Sequence, residues 1–399
     1  MTNQVKNVKE NEKEKKKEGE KSAAKIILSI CKSIASIKLT VVCLTILTII
    51  IVWGTVYQAD HGLYHAQLKF FHSWVFVVFG FIPFPGTVLV MFVLFINLVF
   101  AIFFRIRMRL SNIGNVITHL GIIVLLVGGF FTFYYSEESS LMLKEGETTN
   151  MSTARDQWEV VAWEKKEGGG DKEVYAIDGV GFEPEYSVFV DGLGFTFTVK
   201  EFYRNCRGSK APTNNREPIL NAAGYQSLSE LPPAEEAVEN TAGGIFFVAI
   251  NGNIRTLLLF AKEPAPTAVT IIDRTFFFTI RKKKIPLPLT MTLLDFNVTH
   301  YPNSMIPKSY ESRVKLTAEG SVEREVVISM NKPLRFANLT FFQSSYYIAP
   351  DGTEYTILAV VKNVGRLLPY FSSIIIFLGL LIHFLVMLIK RRKLKTDKG

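Results

Sequence analysis

Six histidines carry most of the chemistry this sequence offers: His61, His65, His72, His119, His300 and His383. Two of them, His119 and His383, fall inside long apolar runs. An ionisable side chain at membrane depth is costly, so it marks a functional position by default. Neutral imidazole is a good axial ligand for heme iron, and an apolar helix bundle is a natural heme site. His119 lies six residues into the run from Ile113 to Tyr135, and His383 six residues before the end of the run from Leu367 to Ile389. At about 1.5 Å per residue, both are expected roughly 9 Å inside one membrane face, able to address one ligand. The plainer alternatives are a histidine donating to a neighbouring helix carbonyl and, for His383, a side chain snorkelling to the interface.

His61, His65 and His72 are spaced i, i+4, i+11. On one helix they share a face, which makes them a candidate external heme or metal face. A hydrated interfacial loop is the alternative, and His300 reads as an ordinary strand or loop residue. The three cysteines are Cys31, Cys43 and Cys206. The first two fall in or beside the first apolar block, so the soluble domain, with Cys206 alone, holds no internal disulfide. There is no CxxC for thiol oxidoreduction and no CxxCH for covalent c-type heme. No P-loop, GxSxG, HExxH or plausible catalytic triad occurs, so the chain does not read as a self-sufficient enzyme. Three sequons begin at Asn150, Asn297 and Asn338.

The elements that must position these residues are set by hydropathy. The chain has 399 residues, 48% hydrophobic and only 20% charged, with the apolar residues gathered in blocks. Four stretches have the roughly 20 residues needed to cross a bilayer: Leu39 to Val56, Phe84 to Phe104, Ile113 to Tyr135, and Leu367 to Ile389. The net charge of +9 comes from clusters at the termini and beside these blocks, which points to topology rather than to nucleic acid. Lys13 to Lys25, Arg105 to Arg109, and Lys390 to Lys395 lie on one side only if there are four spans. The positive-inside rule then places both termini in the cytoplasm. The first apolar run is long and lacks a small-residue cleavage site, so it reads as a retained anchor.

The expected fold is an α-helical membrane protein with four transmembrane helices and a large all-β extracytoplasmic domain inserted between helices three and four. Residues 1–21 form a disordered Lys/Glu-rich tail. Residues 22–37 form an amphipathic interfacial helix, and 38–135 hold three spans with an outer interfacial helix at about 61–82. Residues 136–366 are the β domain. Its alternation is clear in VFVDGLGFTFTVKEF and EREVVISM, and 205–242 reads as an irregular insertion. Two β lobes in a sandwich or barrel-like arrangement are expected around it. Residues 367–389 are the fourth span, and 390–399 a basic cytoplasmic tail.

Several segments resemble the ResB family (also Ccs1 or CcsB) of System II cytochrome c biogenesis. They are SIKLTVVCLTILTIIIVWGTVYQ, THLGIIVLLVGGF, SSLMLKEGET, and above all PLPLTMTLLDFNVTHYPNSMIPKSYESRVKL continuing to ISMNKPLRFANLTFFQSSY. The likeness spans essentially 34–389, apart from the insertion. It implies one subunit of a heme-export and cytochrome c synthetase complex. Heme b is carried or transiently bound, a ResC/CcsA-type multi-span protein is the partner, and apocytochrome c with CxxCH is the client. Thiol-reducing biogenesis factors act alongside. It also implies that His119, followed by Leu-Gly, is a heme axial ligand in the third span. His383 matches no family motif. Two further readings stay open: a b-type electron carrier using His119 and His383, and a non-heme structural anchor.

Overall fold

The computed structural model describes residues 25–165, 173–211, 219–232, 234, 239–318 and 323–396. The expected tail 1–21, the start of the amphipathic helix at 22–24 and the last residues 397–399 lie outside the described residues. The chain divides into a helical unit, Met1–Ser136 with Val364–Gly399, and a β unit, Glu137–Asn363.

In the helical unit, α1 covers residues 25–34 and leaves Ile26, Ile27 and Ile30 exposed. Ser36 caps the next helix by accepting from the Lys38 amide at 3.2 Å. Helix α2, Ile37–Ala66, is apolar on all sides through most of its length, the pattern of a helix not solvated by water. Gly62 interrupts it with φ 79° and ψ 160°, a conformation left to glycine.

A π turn, Gln67–Phe71, follows. In place of a continuous interfacial helix to residue 82, the chain then forms a hairpin, Val75–Val78 with Ile82–Pro85. Val75, Val77, Val78 and Ile82 favour extended backbone. Phe79 and Gly80 take positive φ at the turn, and Pro83 and Pro85 cannot donate within a helix. The hairpin also buries Phe76 against Phe70 and Trp53, with ring centroids 4.8 and 5.9 Å away.

Helix α3 is Thr87–Phe100, extended by a π turn at Ala101–Arg105. Its Asn97 is 2% exposed. It donates to the Ile34 and Ser36 carbonyls at 2.5 and 3.1 Å and accepts from Thr40 at 2.7 Å. Arg105 donates to Ala35 at 3.2 Å. The carbonyls where α1 meets α2 are thereby satisfied, as burial requires. Helices α4, Ile113–Tyr135, and α5, Leu368–Thr396, complete the unit. Among the described residues, four helical stretches are long and apolar enough to cross a membrane: Lys25–Phe71, Thr87–Arg105, Leu110–Tyr135 and Leu368–Arg391. The four-helix membrane architecture with an all-β domain between helices three and four is therefore as the hydropathy predicts.

The β unit is two lobes strung on two long strands, Thr148–Glu164 and Arg274–His300, which pair with each other along both lobes. In the first lobe Phe182, Phe195, Phe197, Phe246, Phe276 and Phe278 dominate one core. A five-stranded sheet covers it, in the order Ser187–Val190, Phe195–Tyr203, Gly243–Ile250, Asn253–Phe260 and Ile219–Leu220. In the second lobe the sheet curls. Ile328 from one edge strand and Leu334 from the other face the same core as Leu141, Met291, Phe341 and Leu358. That core is barrel-like.

The lobes meet at a register shift, where Lys282 pairs with Trp158 but Lys284 pairs with Thr153. The Lys282 amine lies 4.0 Å from the centre of the Trp158 ring and donates to the Arg155 carbonyl at 2.9 Å. The insertion 205–242 is more ordered than its composition suggests. Cys206–Ser209 pairs with Ser227–Glu230, and Ile219–Leu220 runs parallel to the strand Asn253–Phe260. Its residues 212–218, 233 and 235–238 lie outside the described residues.

Candidate functional site

Helices α4 and α5 pack antiparallel along glycines spaced by seven. A Cβ at Gly114 would meet the His383 amide nitrogen at 2.4 Å, one at Gly121 the Ile376 side chain at 2.6 Å, and one at Gly128 the Leu368 Cβ at 2.7 Å. Gly379 answers from α5, facing Thr118 and the Gly114 carbonyl. Small residues are what allow two apolar helices to approach this closely in lipid. The sequence signal for this packing is the seven-residue spacing of Gly114, Gly121 and Gly128.

This register places the two membrane histidines. His383 stands level with Gly114. His119 lies five residues further along α4, level with Leu378 and roughly 7–8 Å away along the axis. It is also turned about 140° round the helix from the Gly114 face, at 100° per residue. The expectation of equal depth therefore fails. It counted from Ile389 as the end of the helix, whereas α5 continues to Thr396. His119 and His383 are on different levels and different faces, and the chain does not bring them together on one ligand.

His119 is half-buried, and its Nδ1 lies 2.8 Å from the Asn115 carbonyl in its own helix. A carbonyl only accepts, so Nδ1 carries the proton. In the neutral ring Nε2 then keeps its lone pair. A metal-ligating histidine commonly has its other nitrogen held in this way. His383 is half-buried against α4, and its Nδ1 is buried with no hydrogen-bond partner.

The three outer histidines do not share a face. His61 stacks on Tyr57 at 3.9 Å, just before the break at Gly62, and His65 lies just after it. His72 is beyond the π turn, its ring 4.8 Å from Phe133 of α4. The change of chain direction at Gly62 undoes the i, i+4 relationship. Among the described residues no three His, Cys, Asp or Glu side chains come together to hold a metal ion. His300 ends a strand, exposed and paired with Pro307. All three cysteines are free.

The model of the ResB-like family matches residues 267–353. That segment of the chain resembles the ResB-like family. The chain is also 36% identical over 104 residues to protein NrfI of Wolinella succinogenes, a stretch that covers 26% of this chain and 11% of that relative's length.

The ResB-like segment supplies most of the barrel-like lobe, and its motif residues shape it. Pro286 pairs with Met151, but the next pair is Met291 with Thr149. Pro286 and Pro288 have no N–H to give the ladder, so the strand bulges and seats Leu287 and Leu289 in the core. The Phe296 amide donates to Glu145 at 2.9 Å, beside a second shift between Leu293 and Asp295. Tyr310 donates to the Ser344 carbonyl at 2.9 Å, where the sequence Gln-Ser-Ser-Tyr makes a third bulge. The buried Gln343 Nε2 donates to Thr356 at 2.9 Å, and its Oε1 lies 2.7 Å from the Ser312 hydroxyl. These ResB-like residues are engaged in holding a shape.

Proposed function

We propose that this protein serves cytochrome c biogenesis as the heme-handling partner of a multi-span ResC/CcsA-type protein in a bacterial cytoplasmic membrane. The observation that carries this reading is the His119 Nδ1–H bond to Asn115, which leaves Nε2 as a preset ligand atom in an apolar helix. Heme b, when bound there, supplies the iron centre and the vinyl groups that end as thioethers on the CxxCH thiols of apocytochrome c. His119 Nε2 would hold the iron. Any further protein donor would come from the partner, because His383 lies on another face of the helix pair. The residues present therefore fit a ligand shared between two proteins.

The arginines after α3 and the basic end of α5 mark the cytoplasmic side by the positive-inside rule. The β unit then stands outside, where apocytochrome is matured and thiol-reducing factors keep its cysteines ready. The edge strand Ser187–Val190 offers an extended CxxCH peptide a place to add by strand pairing.

The test is spectral. The full-length chain is co-purified with its multi-span partner and the heme absorption recorded for wild type and for His119→Ala. Loss of heme at an unchanged yield of the pair is expected. Full heme content in His119→Ala rejects the reading.

A further inference from the structure

Besides His383 Nδ1, the described residues of the helical unit hold two further orphaned polar atoms, Thr87 Oγ1 and Arg366 Nη1. Arg366 precedes α5 by two residues, and its Nη1 is buried with no hydrogen-bond partner. A buried guanidinium N–H without an acceptor is costly and calls for one from outside the chain. The unit has little to offer: its one acidic residue among those described is Asp60. The position of Arg366 is firm. Its neighbour Gly365 is wedged against α4, where a Cβ would meet Thr132 Oγ1 at 2.7 Å and the Gly128 carbonyl at 2.9 Å.

The surroundings indicate what the acceptor is. Gly128 opposes Leu368, so Arg366 stands at the level where α4 carries Phe130, Phe131, Phe133, Tyr134 and Tyr135, all exposed. Tyr370 and Phe371 of α5 are exposed there too. Aromatic rings in a belt at helix ends mark the headgroup level of a bilayer, and phosphate is the oxyanion found there. The planar guanidinium matches a phosphate with two parallel hydrogen bonds.

We propose that Arg366 is a phospholipid site, binding the phosphate diester of one lipid headgroup while the belt residues contact its glycerol and upper acyl chains. The site fixes the level of the α4–α5 pair in the bilayer. It is separate from any heme at His119, which lies about twelve residues, roughly 18 Å, along the helix axis.

The experiment is native mass spectrometry of the full-length chain in detergent, with phosphatidylglycerol as the probe and diacylglycerol as the phosphate-free control. Wild type is expected to retain phosphatidylglycerol and not diacylglycerol. Arg366→Gln should weaken retention by about tenfold or more, the scale of a lost charge-assisted hydrogen bond. Arg391→Gln, at the other end of α5, should leave it unchanged. Arg366→Lys, which keeps the charge and loses the fork, should fall between and covers the case in which the glutamine variant fails to fold. Equal retention in wild type and both Arg366 variants overturns the proposal. So does full displacement of the lipid by inorganic phosphate, which would make the site one for a free anion.

Discussion

Gly114 of α4 lies directly against the backbone of His383 in α5, so close that a Cβ on Gly114 would stand 2.4 Å from the His383 amide nitrogen. This contact sets the register of the α4–α5 pair. It also decides that His383 faces α4 while His119 faces away from α5.

Gly114→Ala should separate the helices or force a shift along them. An overpacked contact of this kind costs about 1–3 kcal/mol. A Cβ on Gly129 meets nothing within 4 Å, so Gly129→Ala is the matched control. Thermal unfolding of the purified protein in detergent should show a lower midpoint for the first variant and no loss for the second.

The separation of the two histidines makes a second prediction. His383→Ala should leave the heme content of the co-purified complex at the wild-type level. Loss of heme equal to that in His119→Ala would favour a carrier ligated by both residues, and would require the helices to slide relative to each other.

The Ser312, Gln343 and Thr356 side chains are buried and hydrogen-bonded only within the β unit. Gln343→Ala should leave two hydroxyls short of partners and cost about 1–3 kcal/mol. Faster limited proteolysis of the strands Pro307–Thr317 and Leu339–Ile348 should report it.

Cys206 is buried in the first lobe, and burial pushes its thiol up to about 12. The thiolate is the reactive form. Peptide-resolved maleimide labelling at pH 8 should therefore miss Cys206 in the native protein and find it after unfolding in denaturant.

Burial pushes the Lys282 amine down to about 8. Between that value and the ordinary lysine range the unfolded chain binds the extra proton, so stability should rise as pH is raised from 8 toward 10. Lys282→Met should flatten that rise, as measured by denaturant midpoints across the range.

The membrane architecture was legible in the sequence because lipid imposes a constraint that hydropathy and flanking charge report directly. Each span satisfies its backbone within itself, so a run of apolar residues of sufficient length is enough to announce it. The β character of residues 137–363 was legible for a similar reason, since alternation encodes a half-buried strand residue by residue. Position 119 could be singled out because a histidine in such a run is rare and costly.

Relations between elements needed the tertiary structure. The depth of His383 relative to His119 depends on the helix register, which the glycine contacts fix and no single run encodes. The three outer histidines looked cofacial until Gly62 turned the chain between them. Pro286, Gln343 and Tyr310 read as motif residues, but their roles in bulges and buried networks depend on partners far away in sequence. The sequence determined which segments cross a membrane and which form strands, because those follow from local periodicity and solvent. Only the folded structure decided which side chains face one another, because that is set by close packing between segments hundreds of residues apart.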